Sequence, residues 1–374
     1  MLNPFPTINY IGPDFFCDRE TETRQILANI KNGRNTLLIS PRRLGKTSLI
    51  RHVFGQLKKW NCLYIDLNNT SSVGDLLKAL TSALAEVASK KTTFKNFLSS
   101  WKISVEFDPY TGSFTAGMNW VKPSMEMKTV DELFQELSKE ENVVIAFDEF
   151  QRITEYPDQH TEGWLRSIAQ KYPRIRFIYS GSHQRILNEM FSSHKRPFYK
   201  STDFVKLGII EKDKYCGYMA RHFKSGKITF HTAATIPTIY DQMLGKTAYI
   251  QDVCNRIYDL GQNKISEEDV LRVIGSFMDK YDSHYSIIRR GLTRIQFKVL
   301  VGIAKLGNAY AVTGIEMAKV SGVHNAVTVH KSVAKLLKME VIYSDVDSKG
   351  GYVTIDDVFL RMWVLRISQQ TATS

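Results

Sequence analysis

Cysteine is scarce in this sequence. Its 374 residues hold four, Cys17, Cys62, Cys216 and Cys254, spaced too widely to grip a zinc ion or to suggest a disulfide framework. The chain is therefore expected to fold without covalent staples in a reducing compartment, and a cytoplasmic location is the expectation. No apolar run reaches membrane-spanning length, and the opening MLNPFPTINYIGPDFF has neither the basic start nor the apolar core of a secretory leader. No membrane association is expected. Acidic residues are in deficit, 38 Asp and Glu against 50 Lys and Arg, for a net charge of +12. Such a balance favours an acidic polymer as partner, while remaining compatible with a merely basic, soluble surface. Length and an apolar content of 43% allow two or three domains with substantial cores.

What the sequence does hold is the tetrapeptide LGKT, twice, at 44–47 and at 244–247. A Gly-Lys-Thr loop binds phosphate when a buried strand delivers it, a tight turn converges its backbone N–H groups, and a helix presents its positive N-terminal end. The first copy meets these needs. TLLIS is a strand-forming run, PRRLG is a turn, and KTSLIRHVFGQLKK places Leu49, Ile50, Val53, Phe54 and Leu57 at a helical period. The second copy follows IPTIYDQM, which is no buried strand, and has Tyr240 where the motif wants a small residue. It reads as a chance match within a helical segment. In the first copy Ser40 stands where the motif has its leading glycine, so Ser40 must keep an ordinary φ or carry modest strain.

A phosphate loop needs acceptors opposite it, and NVVIAFDEFQRI supplies them. Val143 to Phe147 suit a strand covered on both faces, and it ends in Asp148 and Glu149. The expectation is that Asp148 holds magnesium through water and that Glu149 orients or deprotonates the attacking water. CLYIDLNN reads as a second buried strand, followed by the helical VGDLLKALTSALAEVASKK. A strand between loop and carboxylates points to the additional-strand group of P-loop ATPases. IRFIYSGSH is a further strand, ending in Ser180, Gly181 and Ser182; its tip is either a sensor of the γ-phosphate or a plain Ser-Gly turn.

FCDRETETRQILANIKNGRNTLLISPRRLGKTSLIRH, VVIAFDEFQRI, RFIYSGSH and RPFYKSTDFVKLGII together resemble the archaeal-type P-loop ATPases of the STAND and AAA+ group, relatives of the origin-recognition ATPases. The likeness spans most of the chain in the same order. It implies an α/β ATPase core, a helical lid and a C-terminal winged helix, and a serine before PRR is common in that family. The family's Gly-Arg-Glu box, which helps seat the nucleotide base, corresponds to Asp18, Arg19 and Glu20, without the glycine. Relatives often carry an arginine just after PFY; here Lys200 and Ser201 follow, with Arg196 as the nearby alternative. The lid motif corresponds to Gly245, Lys246, Thr247, Ala248 and Tyr249, which gives the second LGKT an identity as a neighbour of the nucleotide at most.

KISVEFDPYTGSFTAGMNWV alternates around DPYTG and reads as an inserted hairpin at about 100–122, either a surface protrusion or an edge elaboration of the sheet, with the second preferred. Lys171, Arg174, Arg176, Arg185, Lys195, Arg196 and Lys200 form a basic stretch opposed only by Glu189. It is read as a solvated face, the alternative being a contact across a subunit boundary. Near the C-terminus, LTRIQFKVLVGIAKLG, TGIEMAKVSGV and NAVTVHKSVAKLLKME are three helices, and VIYSDVDSKGGYVTIDD a hairpin. That order is a winged helix-turn-helix. Asn325, Thr328, His330, Lys331 and Lys335 lie on or beside the third helix and Lys349 at the hairpin tip; these are the candidate DNA contacts, with a protein-docking role as the other use of such a domain.

The sequence is thus read as an α/β P-loop ATPase core with a parallel sheet over 1–205, a helical lid over 206–290 and a winged helix over 291–374. ATP and Mg2+ are the expected cofactors. Ser40, Pro41, Arg42, Arg43, Leu44, Gly45, Lys46, Thr47 and Ser48 would wrap the phosphates, with Arg19 and Ser182 nearby; Lys46 would neutralise them, and Thr47 with Asp148 would serve the metal. The expected function is a nucleotide-dependent switch or motor on DNA, with a homo-oligomer or a protein partner as the further assemblies open to it; the alternative is a slowly hydrolysing regulator that docks a protein. A nucleoside kinase would leave the winged helix without a place.

Overall fold

A computed structural model of the chain describes residues 3–7, 10–90, 104–108, 113–117, 125–347 and 349–373. It divides into two compact units, Gly12–Gly208 and a second made of Met1–Ile11 with Ile209–Ser374.

The first unit is built on a parallel five-stranded sheet in the order β2-β5-β6-β1-β7. Its strands are β1 (Thr36–Ile39), β2 (Asn61–Asp66), β5 (Val143–Asp148), β6 (Ile175–Gly181) and β7 (Asp203–Lys206). The near-continuous apolar runs of β1, β5 and β6 follow from burial on both faces. Leu37, Ile39, Ile145, Phe147, Phe177 and Tyr179 enter one core, with α3 (Val73–Lys90), α4 (Glu126–Leu137), α5 (Thr161–Lys171) and α6 (Gln184–Ser192). Leu38, Val144, Ala146 and Ile178 alternate into the other, with α1 (Glu20–Lys31) and α2 (Lys46–Gln56). Each such side chain contributes roughly 1.5–3 kcal/mol by leaving water. Parallel pairing brings the carboxyl ends of β1, β5 and β6 to one edge, which is where ligands bind in sheets of this kind.

Three sequence expectations are resolved here. One additional strand does stand between β1 and β5 in the sheet, but it is β6, while β2 lies beyond β5 at the sheet's edge, with the alternating burial of an edge. The inserted hairpin exists as β3 (Ser104–Asp108) paired antiparallel with β4 (Ser113–Gly117), but it forms a sheet of its own and does not extend the large one; its DPYTG tip lies outside the described residues. Lastly, residues 1–11 group with the second unit. Phe5 inserts its ring beside Phe223 and Tyr218, with centroids 4.6 and 6.4 Å away, and its carbonyl accepts from Asn255 Nδ2 at 2.8 Å.

The second unit holds helices α7 (Lys212–Ser225), α8 (Thr235–Gln242), α9 (Thr247–Tyr258), α10 (Glu267–Lys280) and α11 (Asp282–Arg290). A short parallel pair, β8 (Thr229–Phe230) and β9 (Lys264–Ile265), ties α7 to α10. There follow α12 (Arg294–Leu306), α13 (Ile315–Ser321), α14 (Ala326–Lys338), the antiparallel hairpin β10 (Tyr343–Asp347) and β11 (Gly350–Thr354), and α15 (Val358–Thr373). Thr293 and Gln296 form a capping box that starts α12, and the Asn325 side chain caps α14. Helix α15 fastens the last helices to the earlier ones. Phe359 stacks on Phe277 at 4.7 Å, Trp363 Nε1 donates to Asp282 at 2.7 Å, and Tyr285 donates to Asp357 at 3.0 Å. Among the described residues no helix is long and apolar enough to cross a membrane.

Candidate functional site

β1 delivers the chain to Ser40, which is fully buried and keeps a negative φ, its hydroxyl donating to the Pro41 carbonyl at 2.7 Å. Serine in place of glycine therefore carries no backbone strain. The left-handed positions of the turn are Arg43 (φ 64) and Gly45 (φ 89). Gly45 is the N-cap of α2 and gives no side-chain cap, so the first-turn N–H groups of α2 and its positive end face outward to an anion.

Opposite that end stand the two acids. Thr47 Oγ1 donates to Asp148 Oδ2 at 2.8 Å, and Lys46 Nζ lies 3.5 Å from Glu149 Oε1, with Lys46 only 8% exposed. Asp148 is fully engaged: Oδ2 also accepts from Tyr64 at 2.7 Å, while Oδ1 accepts from Ser180 Oγ at 2.5 Å and the Glu149 N–H at 3.0 Å. Glu149 is gripped through Oε2 by Gln151 Nε2 at 2.6 Å, Ser182 Oγ at 2.8 Å and the Ser182 N–H at 3.1 Å. Burial pushes the Glu149 pKa up, but the Lys46 ammonium and the donors from Gln151 and Ser182 outweigh it, and the carboxyl is lowered below its usual range. Burial, followed by the charge of Asp148, pushes the Tyr64 phenol well up, so it serves as a donor throughout ordinary pH. Asp66, the register partner of Asp148, is raised, first by burial and then, against the Asn68 N–H, by the charges of Asp148 and Glu149.

This donor set suits a hard cation carrying phosphates. One hydroxyl and one carboxylate converge at a point beside an anion-attracting helix end and a buried ammonium, and such oxygen ligands are those Mg2+ takes alongside substrate phosphates.

The structure thus brings Gly45, Lys46, Thr47, Asp148, Glu149 and Ser182 together. Other expected residues stand elsewhere or are otherwise engaged. Arg19 is buried and left-handed (φ 75); its guanidinium donates to the carbonyls of Leu44 at 3.4 Å and Gly208 at 2.6 Å, bracing the loop from behind. Arg42 reaches His183 Nε2 at 3.0 Å, and Leu44 is buried, while Pro41 and Ser48 are half-buried and Arg43 is exposed. Arg196 is paired with Glu162 at 2.5 Å and Lys171 with Asp131 at 2.7 Å, so the basic stretch is partly neutralised within its own unit. The second LGKT follows a helix, with Leu244 (φ 54) and Gly245 (φ 67) making the turn between α8 and α9. Its Lys246 Nζ binds the Asp356 carboxylate at 2.8 Å and carbonyl at 2.6 Å. Sequence reasoning missed Tyr64 and Gln151. Tyr64 sits in β2, whose side chains alternate between sheet faces, and its polar head pointed to the β5 side; Gln151 stands two residues after Glu149 in a run of buried residues.

Residues 29–188 match the family described as "AAA domain" and residues 283–366 the family described as "Probable winged helix domain". No curated protein matches the chain. The Walker-type ATPase PABY2304 of Pyrococcus abyssi superposes with a TM-score of 0.66 at 19% identity, over 97% of this chain and 99% of that one. The ORC2 protein of Aeropyrum pernix, in its ADPNP–ADP complexes, gives 0.56 at 15% over 100% and 99%. The ORC1 protein of the same organism, in complex with DNA, gives 0.53 at 16% over 96% and 95%. At these identities the likeness is one of fold.

Proposed function

We propose that the chain is an AAA-type P-loop ATPase with a C-terminal winged helix domain, a reading that the matches over residues 29–188 and 283–366 support, and that it binds ATP with Mg2+ at the mouth of β1, β5 and β6, hydrolyses it, and acts as a nucleotide-dependent switch or motor on DNA. The observation that carries this reading is the pair of contacts across the sheet edge, Thr47 to Asp148 at 2.8 Å and Lys46 to Glu149 at 3.5 Å.

The backbone N–H groups of residues 40–47 hold the phosphate oxygens, and Lys46 turns from Glu149 to the β and γ charge. Thr47 and Asp148 would hold Mg2+, which when bound would neutralise charge on the phosphate oxygens. Glu149 accepts the proton of the attacking water, and Ser182 reports the γ-phosphate through the same carboxylate. The nucleotide state biases a lid over 206–290 and, with it, a winged helix from 291 onward, because only the triphosphate adds the contacts that separate the two states. The cytoplasm is the proposed place of action.

Tyr64→Phe tests the metal part. It removes one donor from Asp148 and leaves the phosphate loop intact, so the Mg2+ concentration for half-maximal turnover is expected to rise roughly tenfold, with nucleotide binding in EDTA unchanged. An unaltered Mg2+ dependence would show that Tyr64 does not orient Asp148 for the metal.

On the winged helix, His330, Lys331 and Lys335 are exposed on α14, half-buried Thr328 shares that face, and exposed Lys349 follows β10. These are the proposed DNA contacts. Duplex binding is expected to weaken with salt, and Lys331→Ala with Lys335→Ala to weaken it further while reducing the salt slope by about 2. Turnover measured with and without duplex DNA tests the whole reading. A second reading, a slowly hydrolysing regulator that docks a protein, is favoured by the engagement of Arg196 with Glu162, which ties up the arginine nearest the position where relatives carry one. Absence of DNA affinity at low salt would select it.

A further inference from the structure

Glu149 follows the end of β5 with a left-handed backbone, φ 53, a conformation uncommon for a side-chain-bearing residue. Where its carboxylate points is therefore set by the groups that grip it. Oε2 is saturated by Gln151 and Ser182, and Oε1 is the oxygen directed toward Lys46.

Gln151 is the unusual member of this set. It lies in the 3-10 helix Phe150–Glu155 with 1% exposure, and its own Oε1 is buried without a hydrogen-bond partner. A buried unpaired carbonyl oxygen costs stability, and an aliphatic side chain would fill the space without that cost. The opposite flip would turn this oxygen against the Glu149 carboxylate, so the amide's orientation is fixed by chemistry. The neighbouring strand makes room for it: a Cβ at Gly181 would collide with the Gln151 amide and come within 3.0 Å of Leu187 Cδ1. A destabilising amide, a glycine cut to receive it and a 2.6 Å bond to Glu149 serve one geometry.

We propose that Gln151 is a positioning residue for hydrolysis, clamping Glu149 Oε2 against Ser182 so that Oε1 alone faces the attacking water. This rests on the ATPase reading above and assigns its water-handling step a second residue. Gln151→Met keeps volume and removes both the donor and the unpaired oxygen. Its kcat is expected to fall on the order of tenfold to a hundredfold, with Mg·ATP affinity unchanged and a Tm equal to or above that of the parent protein. Gly181→Ala, which displaces the amide, is expected to lower kcat in the same way. Unchanged kcat in Gln151→Met, beside an inactive Glu149→Gln control, would overturn the inference alone. A joint loss of kcat, affinity and Tm would make Gln151 a packing residue and overturn it equally. If Glu149→Gln itself turned over at the full rate, the role of Glu149 and that of Gln151 would fall together.

Discussion

Lys46→Ala is expected to abolish ATP binding. The side chain is 8% exposed with its ammonium 3.5 Å from Glu149, so it stands desolvated where a bound triphosphate concentrates charge. Truncating one partner of a buried charge pair costs roughly 2–5 kcal/mol, a thirtyfold to several-thousandfold loss of affinity. The substitution also strips Glu149 of the main charge that holds its carboxyl low against burial, so some proton uptake should accompany it. Lys246→Ala makes the matched control. That lysine belongs to the other LGKT and is tied to Asp356; its removal should leave ATP affinity unaltered, and a titration with a fluorescent ATP analogue reads both variants. Equal losses would mean that the two turns are not distinguished by their surroundings.

Glu149→Gln is expected to separate binding from turnover. The amide keeps the size of the side chain and, with its oxygen toward Gln151 and Ser182, leaves Lys46 to turn onto the phosphates, so Mg·ATP should bind as in the parent. It cannot take a proton from water, and loss of a positioned base lowers the rate by about 10²–10⁴. The lowered Glu149 pKa keeps the side chain ionised. Burial raises its pKa, Lys46 with Gln151 and Ser182 lowers it further than burial raises it, and the base form is present at neutral pH. Single-turnover phosphate release checks the outcome, and unchanged release would remove Glu149 from the chemistry.

Much of this arrangement could be read before any coordinates, because local pattern carries it. TLLIS and VVIAFD announce themselves as strands covered on both faces by their near-continuous apolar runs, and the Gly45 turn before an amphipathic helix marks the anion end. Three features escaped for a common reason: they depend on partners distant in sequence. Strand β2 read as a buried strand, yet only pairing with β5 decides that it lies at an edge. Tyr64 is 84 residues from the Asp148 it binds, and nothing local tells a strand tyrosine in a core from one at a site. Phe5 joins the second unit across a separation of 250 residues from Asn255. Gln151 differs, being near Glu149 in sequence; its meaning appears only when Gly181 of β6 is seen to leave it space.

Where the phosphates bind decides the function of this site. A crystal structure of the Glu149→Gln protein with Mg·ATP should show the β and γ phosphates on the N–H groups at the start of α2, with Lys46 turned onto them and the metal between Thr47 and Asp148. Nucleotide bound elsewhere, or at the 244–247 turn, with the first loop unchanged, would contradict it.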